Sequence, residues 1–192
     1  GSPASDVSGA DVVFSLSTDS QDLGTLSTLN AVTGTDGTAQ TVFRTKTRSG
    51  IATINALVTY NDGTTTTTIP LSCTQQIDHN TPYSAQITYE HNVAVGTVTP
   101  VTILLLDSAN NPVDNKNPAA THTVAFYTSG DGGSGFVQGS AYVQDLALPT
   151  NAAGTVSVDF RVSTVSGPNT FQVYPIGSYL GEPVTINGVA DS

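Results

Sequence analysis

Oxygen-bearing side chains gather around one short segment, Asp107, Asn110, Asn111 and Asp114. Carboxylate and amide oxygens are the ligands that Ca²⁺ prefers, so this segment is the best metal hypothesis in the chain. The spacing matches no known calcium loop, and Asx side chains also stabilise ordinary turns by bonding their own backbone. The sequence therefore predicts no cofactor: turn chemistry is the favoured interpretation of this segment, and a calcium site is the alternative. The same two interpretations apply to Asp19, Asp22 and Asp131 in the loops.

Three of the five basic residues, Arg44, Lys46 and Arg48, stand at alternate positions. In a β-strand, alternate side chains share one face. This basic row is a candidate binding site for an anionic partner, either a glycan or the acidic surface of a neighbour. The alternative is a solvated strand face that discourages unwanted edge pairing.

Catalytic chemistry has little support, and we predict that the chain is not an enzyme. Gly132-Gly133-Ser134-Gly135 lacks the second flanking glycine of a nucleophile elbow and is better explained as a Gly-rich loop. No spacing pairs the two glutamates as a glycosidase couple. The other candidate acids and bases are few: His79, His91, His122, Glu90 and Glu182.

Cys73 is the single cysteine, so it cannot close an internal disulfide. It follows Ile69 and Leu71 in the same strand phase, which predicts a small buried core thiol. An intermolecular disulfide is the alternative.

Composition excludes several classes of protein. The net charge of −10 excludes a nucleic-acid backbone binder, which needs clustered bases. No apolar run approaches the length of a membrane span, so direct membrane insertion is not expected. Charged residues make up only 10% of the chain and apolar residues 38%, and Thr and Ser are abundant. This composition favours a folded β protein of the secreted, surface-displayed kind.

Apolar and polar residues alternate in many segments of the chain, as in β-strands, and no segment has the apolar spacing of an amphipathic helix. Residues 52–60 alternate, a turn at Asn61-Asp62-Gly63 follows, and residues 64–71 return, which predicts a β-hairpin. Further strands are predicted at 83–89, 99–107, 121–129, 140–148, 154–163, 169–176 and 183–189.

The chain also contains an internal repeat. Residues 37–50 match residues 154–167 at an offset of 117, with Phe43 aligned to Phe160. Upstream, Val12 and Phe14 match Val124 and Phe126 at an offset of 112. Inward and outward strand phases agree in both copies, and a one-residue slip would reverse them. Two β modules follow, predicted as residues 1–73 and 74–192.

These motifs resemble the bacterial immunoglobulin-like domain, group 1, of invasin and intimin adhesins, and its tandem versions in surface proteins of methanogenic archaea. The matching segments are turn and core positions: Leu104-Leu105-Leu106-Asp107, Asn110-Asn111-Pro112-Val113, Val124-Ala125-Phe126, Thr150–Gly154 and Ser166-Gly167. The resemblance implies tandem immunoglobulin-like β-sandwiches on an extracellular stalk, adhesin or envelope component. It implies no catalytic residue.

The first module departs from this pattern, because nothing before Val12 matches the two strands predicted at 83–89 and 99–107. The predicted fold is therefore all-β, with two tandem immunoglobulin-like sandwiches, the first lacking its two N-terminal strands. Such a sandwich exposes edge backbone and an apolar groove. Three explanations stay open: the chain is a fragment, the first module is a reduced sheet, or another chain adds the strands.

The function predicted is a non-enzymatic structural or adhesive segment of a prokaryotic cell-surface protein, namely a stalk, surface-layer or envelope assembly module. Self-assembly by strand addition is one way in which such a module would act. Its expected location is extracellular, at the cell surface. Its expected partners are other copies of itself, neighbouring surface proteins or cell-surface glycans. The alternatives are a glycan-binding module and an accessory domain of a larger secreted enzyme.

Overall fold

The computed structural model describes residues 7–114, 121–175 and 182–190. It divides the chain into two compact units, Gly1–Asp78 and His79–Ser192. The boundary lies beyond Cys73 because the last strand of unit 1 continues to Ile77. Two short 3₁₀ turns, Thr18–Ser20 and Asp131–Gly133, are the helical elements found in the described ranges. Within these ranges no helix is long and apolar enough to cross a membrane.

The described residues of unit 1, from residue 7 onward, form six strands in two sheets. One sheet has the order β3-β1-β5-β6, and the other has only β2 and β4. The predicted hairpin is β5 and β6, which pair along their whole length around the turn after Asn61. The strand bounds are β1 Asp11–Leu16, β2 Gly24–Leu26, β3 Asn30–Val32, β4 Phe43–Thr45, β5 Gly50–Asn61 and β6 Thr66–Ile77.

Ten strands in two five-stranded sheets are formed by the part of unit 2 that the structure describes. Their bounds are β7 Ser84–Thr88, β8 Asn92–Ala94, β9 Val98–Leu106, β10 Thr123–Thr128, β11 Gly135–Gln138, β12 Ala141–Val143, β13 Asp145–Pro149, β14 Thr155–Arg161, β15 Gly167–Pro175 and β16 Glu182–Val189. The sheet orders are β13-β10-β15-β16-β8 and β12-β11-β14-β9-β7. The chain passes repeatedly between the two sheets, as in immunoglobulin-like sandwiches, at β7–β8, β8–β9, β9–β10, β10–β11, β12–β13, β13–β14 and β14–β15.

A continuous core lies between the two sheets of unit 2. Alternate residues of β9 and β14 face inward and are buried. Four phenylalanines form its centre, with neighbouring ring centroids 4.9 to 5.5 Å apart, and the rings are tilted or edge-on as aromatic pairs prefer. They are Phe126, Phe136, Phe160 and Phe171. The predicted all-β class and the immunoglobulin-like sandwich are confirmed.

Three details of the strand prediction differ from the structure. Gly135–Gln138 forms β11, although the sequence placed it in a Gly-rich loop. The strand predicted at 140–148 is two strands, β12 and β13, which belong to different sheets. The short β8 was not predicted, because three residues give too little alternation to recognise.

The two copies of the internal repeat pair their equivalent strands in the same register. Phe14 pairs with Ala56 in unit 1, and Phe126 pairs with Val173 in unit 2, at the two sequence offsets. Strands β1, β3, β5 and β6 therefore correspond to β10, β13, β15 and β16, while β2 and β4 correspond to β11 and β14. Among the described residues of unit 1, no strand corresponds to β7, β8 or β9.

Candidate interaction surface

An apolar groove opens on the inner face of the larger sheet of unit 1. Its volume is about 430 Å³. Sheet residues line one wall, and residues 39–41, just before β4, line the other. The apolar part of the sheet wall consists of Phe14 on β1, Ile54 and Ala56 on β5, and Leu71 and Cys73 on β6.

The groove exists because unit 1 does not seal its inner face. Among the described residues, unit 1 has four buried apolar residues and the core of unit 2 has seventeen; those of unit 1 are Ala10, Val12, Leu23 and Ala52. Phe14 and Phe43 are only half-buried, although their counterparts Phe126 and Phe160 are fully buried. The side chains at the repeated positions point to the inner face of the sheet in both units. The two units differ in the strands that cover this face.

Cys73 was predicted to be a buried core thiol, and this prediction was wrong because the thiol residue is exposed. Its direction was predicted correctly, since Cys73 lines the groove with Leu71. The counterpart of Cys73 by register is Val184, which is buried. Strand phase gives the direction of a side chain, but its burial depends on what packs over it.

Strand β4 has one edge paired and one edge free. Its backbone bonds toward β2, since Ser27 N–H donates to Val42 O (2.9 Å) and Lys46 N–H donates to Leu23 O (2.8 Å). Backbone groups of successive strand residues point to opposite edges, so those of Phe43 and Thr45 point away from β2. In the described part of unit 1, no strand pairs with that edge.

Unit 2 shows what occupies the equivalent edge. There β9 pairs antiparallel with β14, placing Val101 opposite Val158 and Thr99 opposite Phe160. On the other sheet, β8 pairs in parallel with β16, the counterpart of β6. The free edges of β4 and β6 are thus the two edges that β9 and β8 cover in the complete sandwich.

The basic row lies on exposed residues of unit 1, and two of its three members have partners there. Lys46 Nζ donates to Gln21 O at 2.8 Å. Arg48 Nη1 lies 3.1 Å from Asp22 Oδ2, and both side chains are mostly exposed. Arg44 stands on β4, opposite Thr25. An anionic partner could therefore contact Arg44 directly. To bind Lys46 and Arg48 it would have to compete with Gln21 and Asp22.

The candidate calcium residues lie in unit 2, and the structure brings two of them together by hydrogen bonds. Asp107 Oδ1 accepts from the N–H groups of Ala109 (2.8 Å) and Asn111 (2.9 Å). Asp107 Oδ2 accepts from Asn80 N–H (3.0 Å) and Asn111 Nδ2 (2.9 Å). Both carboxylate oxygens are engaged by donors, as expected for the anchor of a turn.

Burial by itself raises the pKa of Asp107, but these hydrogen bonds outweigh it, so the pKa is lowered from its usual range.

Asn110 is exposed and has a positive φ of 62°. Asp114 Oδ1 lies 3.9 Å from Nε2 of His79. The four residues therefore do not present a ready set of free oxygens, and calcium binding stays a prediction. Asp114 and Asn110 are the members best placed to offer an oxygen to an ion.

The histidines and the Gly-rich loop have structural environments of their own. His79 contacts the carbonyl oxygens of Asn80 and Asp114, and His91 packs edge-on against Tyr89. Burial, with a smaller contribution from the charge of His79, lowers the pKa of His122. Ser134 is buried, and its N–H donates to Asp131 O within the 3₁₀ turn.

Two exposed tyrosines share the outer face of one sheet of unit 2. Tyr127 on β10 and Tyr174 on β15 are diagonal neighbours, because Tyr127 pairs with Gln172 and Tyr174 pairs with Ala125. Strand β10 lies between β15 and β13, and Asp145 on β13 pairs with Tyr127. Sequence alone did not place these residues on one face. Tyr142 lies in the other sheet, where Arg161 packs over its ring at 4.6 Å, and Tyr179 lies outside the described residues.

No family model matches the sequence, and no curated protein matches it either. Solved structures of similar fold include invasin, a bacterial integrin-binding protein, at 19% identity and a TM-score of 0.44, covering 96% of this chain and 33% of invasin. They also include domains 4 and 5 of the S-layer protein SbsC, at 14% identity and a TM-score of 0.41, covering 98% and 74%.

A glycosyl hydrolase family 2 member from Bacteroides cellulosilyticus is similar at 13% identity and a TM-score of 0.45. The match covers 74% of this chain, which spans only 23% of that enzyme. At these identities the likenesses concern the fold alone, and they assign neither a family nor an archaeal origin.

Proposed function

We propose that this chain is a non-enzymatic structural or adhesive segment of a prokaryotic cell-surface protein. One observation carries the proposal: a single strand framework occurs twice in tandem, complete in unit 2 and open in unit 1. A sealed sandwich suits a spacer, because its strand ladders and continuous core hold its shape under load. An open sandwich suits assembly, because free strand edges accept further strands.

The electrostatics of the chain support the same function. Charged residues are scarce, and β6 is exposed along almost its whole length without carrying a charged side chain. Such a surface packs against neighbours with little cost of burying charge. The basic row provides one local exception, where an anionic neighbour would be favoured.

Surface placement is tested on intact cells that produce the parent protein. Antibodies raised against this chain should label intact cells, and external protease should remove the label without touching a cytoplasmic control protein. Label that requires permeabilised cells would contradict the proposal.

Glycan binding is a second candidate function, and the shared face of Tyr127, Tyr174 and Asp145 favours it. Exposed aromatic faces beside a carboxylate suit the apolar and hydroxyl faces of a sugar. Glycan-array binding that is lost in Tyr127→Ala and Tyr174→Ala but kept in Tyr142→Ala would support this role. Absence of binding by the wild-type chain would exclude it for the glycans tested.

A further inference from the structure

We propose that unit 2 binds an uncharged sugar residue in a polar pocket at one end of its sandwich. The pocket has a volume of about 310 Å³ and lies between residues 129–134, which follow β10, and residues 163–170, which lead from β14 into β15. The inference deepens the proposed adhesive function, on which it rests, by giving a site and a class of ligand. The site differs from the face of Tyr127 and Tyr174, because neither tyrosine lines the pocket.

Buried polar groups hold the walls of the pocket in place. Ser163 N–H donates to Asn169 Oδ1 at 2.8 Å, and these two residues are only 7% and 5% exposed. Asn169 Nδ2 donates in turn to Gly167 O (3.1 Å) and Ile186 O (3.3 Å). Ser163 Oγ donates to Gly132 O at 3.2 Å, which joins the two loops. The walls are therefore formed before a ligand enters, which lowers the entropic cost of binding.

One buried hydroxyl of the pocket has no hydrogen bond. Ser134 lines the pocket and is 7% exposed, and its side chain bonds to none of the residues that the structure describes. A buried hydroxyl normally has a partner, because leaving it without one costs free energy. Unlike Thr99 Oγ1, the Ser134 oxygen is not sealed from the surface. It is therefore available to a ligand in the pocket.

A backbone donor also points into the pocket. Thr170 O accepts from Thr128 Oγ1 at 3.2 Å, so the backbone polar groups of Thr170 face β10 and not β16. Strand β10 ends at Thr128, one residue before the position opposite Thr170. Within the described ranges, Thr170 N–H has no acceptor at that position, since no bond to Ser129 O forms. An acceptor atom of a ligand would satisfy this N–H group.

Unit 1 shows that a hydroxyl group fits at the equivalent place. By the offset of 117, Thr170 corresponds to Thr53, and by the offset of 112 the counterpart of Gly132 is Ser20. The side chain of Ser20 is buried, and its Oγ accepts from Thr53 N–H at 2.8 Å and bonds with Ser17 Oγ at 2.7 Å. Glycine at position 132 supplies no such hydroxyl. Unit 2 thus keeps the backbone donor and lacks the internal hydroxyl, which a hydroxyl of the ligand would replace.

The groups that face the pocket favour a ligand with several hydroxyls. Thr170 N–H requires an acceptor, the Asp131 carboxylate requires a donor, and the Ser134 hydroxyl serves as either. A hydroxyl group both donates and accepts, so neighbouring hydroxyls on one ring match this mixture. Val165 and Pro168 are exposed at the pocket and offer an apolar surface to the C–H groups of the ring.

Other classes of ligand match these groups less well. The negative charge of Asp131 repels a phosphate or a carboxylate. A calcium ion takes about six to eight oxygen ligands, several of them from carboxylates, whereas the lining that the structure describes contains one acidic residue. Oδ2 of that residue already accepts from Ser129 Oγ at 2.6 Å, and Thr170 N–H would repel a cation. An uncharged sugar is the class that meets the donors and the acceptors together.

The test titrates the full chain with four probes and follows the backbone amide signals by NMR. The probes are the methyl glycosides of glucose, galactose, mannose and N-acetylglucosamine. At least one probe should shift the amides of Gly132, Ser134 and Thr170, with a dissociation constant of about 1 mM, as expected for a ligand of this size. Glycerol at the same concentrations is the control solute and should not shift these signals.

Two substitutions each remove one hydrogen-bonding group from the pocket. Ser134→Ala should weaken binding of the probe about fivefold, and Asp131→Asn about tenfold or more, because hydrogen bonds to a charged group are stronger. Ser157→Ala is the matched control, since Ser157 is exposed on β14 outside the pocket, and it should leave binding unchanged. Tyr127→Ala should also leave it unchanged. Amide signals outside the pocket show whether each variant is folded.

Four results would overturn the proposal: no shift with any of the four probes, equal shifts with glycerol, probe binding that both pocket variants leave unchanged, or shifts centred on Tyr127 and Tyr174. The last result would assign sugar binding to the tyrosine face. Surface labelling of intact cells is a separate measurement, so a failed titration with positive labelling removes this inference and leaves the proposed function standing.

Discussion

Cys73 on β6 lies directly opposite Ile54 on β5, in the same register that places Val184 opposite Phe171 in unit 2. The second pair is completely buried, whereas Cys73 is exposed in the first. Equivalent positions on equivalent strands therefore differ because, among the described residues, only those of unit 2 form strands that cover them. The consequences of this difference can be measured.

The Cys73 thiol should react freely in the native chain. Because the residue is exposed, an aromatic disulfide reagent should modify it at a rate within about tenfold of that in unfolded protein. The measurement is the absorbance of released thiolate under native and denaturing conditions. A native rate many orders of magnitude slower would show that the groove is closed in solution.

The repeated phenylalanines should contribute unequally to stability. Phe126→Ala should destabilise unit 2 by about 3–5 kcal/mol, because it leaves a cavity in a sealed core. Phe14→Ala should destabilise unit 1 by only about 1–2 kcal/mol, because the side chain is already partly in water. Hydrogen exchange in increasing denaturant, resolved by segment, measures both values separately. Equal losses would contradict the difference in coverage.

Strand phase, the hairpin, the repeat and the lack of counterparts to β7 and β9 among the described residues of unit 1 all followed from alternation and spacing in the sequence. Those features are local, or they are shared by two copies in one chain. The exposure of Cys73 could not be predicted in the same way, because burial depends on distant strands. β11 was missed because Gly135 begins a strand within a Gly-rich segment that also contains a tight turn. The contact of Asn80 with Asp107 joins residues far apart in sequence, and no local pattern indicates it.

Gly154 should tolerate a side chain much less well than Gly63. Both have positive φ, at +74° and +88°, so alanine strains the backbone at either site. A Cβ at Gly154 would in addition lie 2.1 Å from Val113 O, whereas one at Gly63 would meet nothing within 4 Å. Gly63→Ala should cost about 1 kcal/mol, and Gly154→Ala clearly more. The denaturant midpoints of the two variants show which substitution costs more. Similar midpoints would contradict the close approach of the Gly154 backbone to Val113 O.

Asp107 should make the stability of unit 2 depend on acid pH. Its pKa is lowered in the folded state, so its contribution is complete above the unfolded value of about 3.9 and is lost as pH falls through the folded value. Asp107→Asn should lower the free energy of unfolding at neutral pH by about 2–3 kcal/mol. The reason is that the amide NH₂ group cannot accept the hydrogen bonds that one carboxylate oxygen accepts in the native protein. The variant should also lose part of the pH dependence below about pH 4. Thermal unfolding from pH 7 to pH 2 measures both effects, and parallel curves for the two proteins would refute the assignment.

Calcium binding near Asp107–Asp114 can be tested by the same unfolding measurement. Each Asp107 oxygen already accepts two N–H donors, so an ion must displace hydrogen bonds to use that carboxylate. Any site here should therefore be weak, with a midpoint that rises only at millimolar Ca²⁺, as for the weakest protein calcium sites of about 10⁻⁴–10⁻³ M. Asp114→Asn should abolish the rise, and Asp36→Asn, at an exposed turn of unit 1, should not. A rise at micromolar Ca²⁺ would mean that the Asp107 turn rearranges around the ion. No rise at any concentration would leave the four residues as turn chemistry alone.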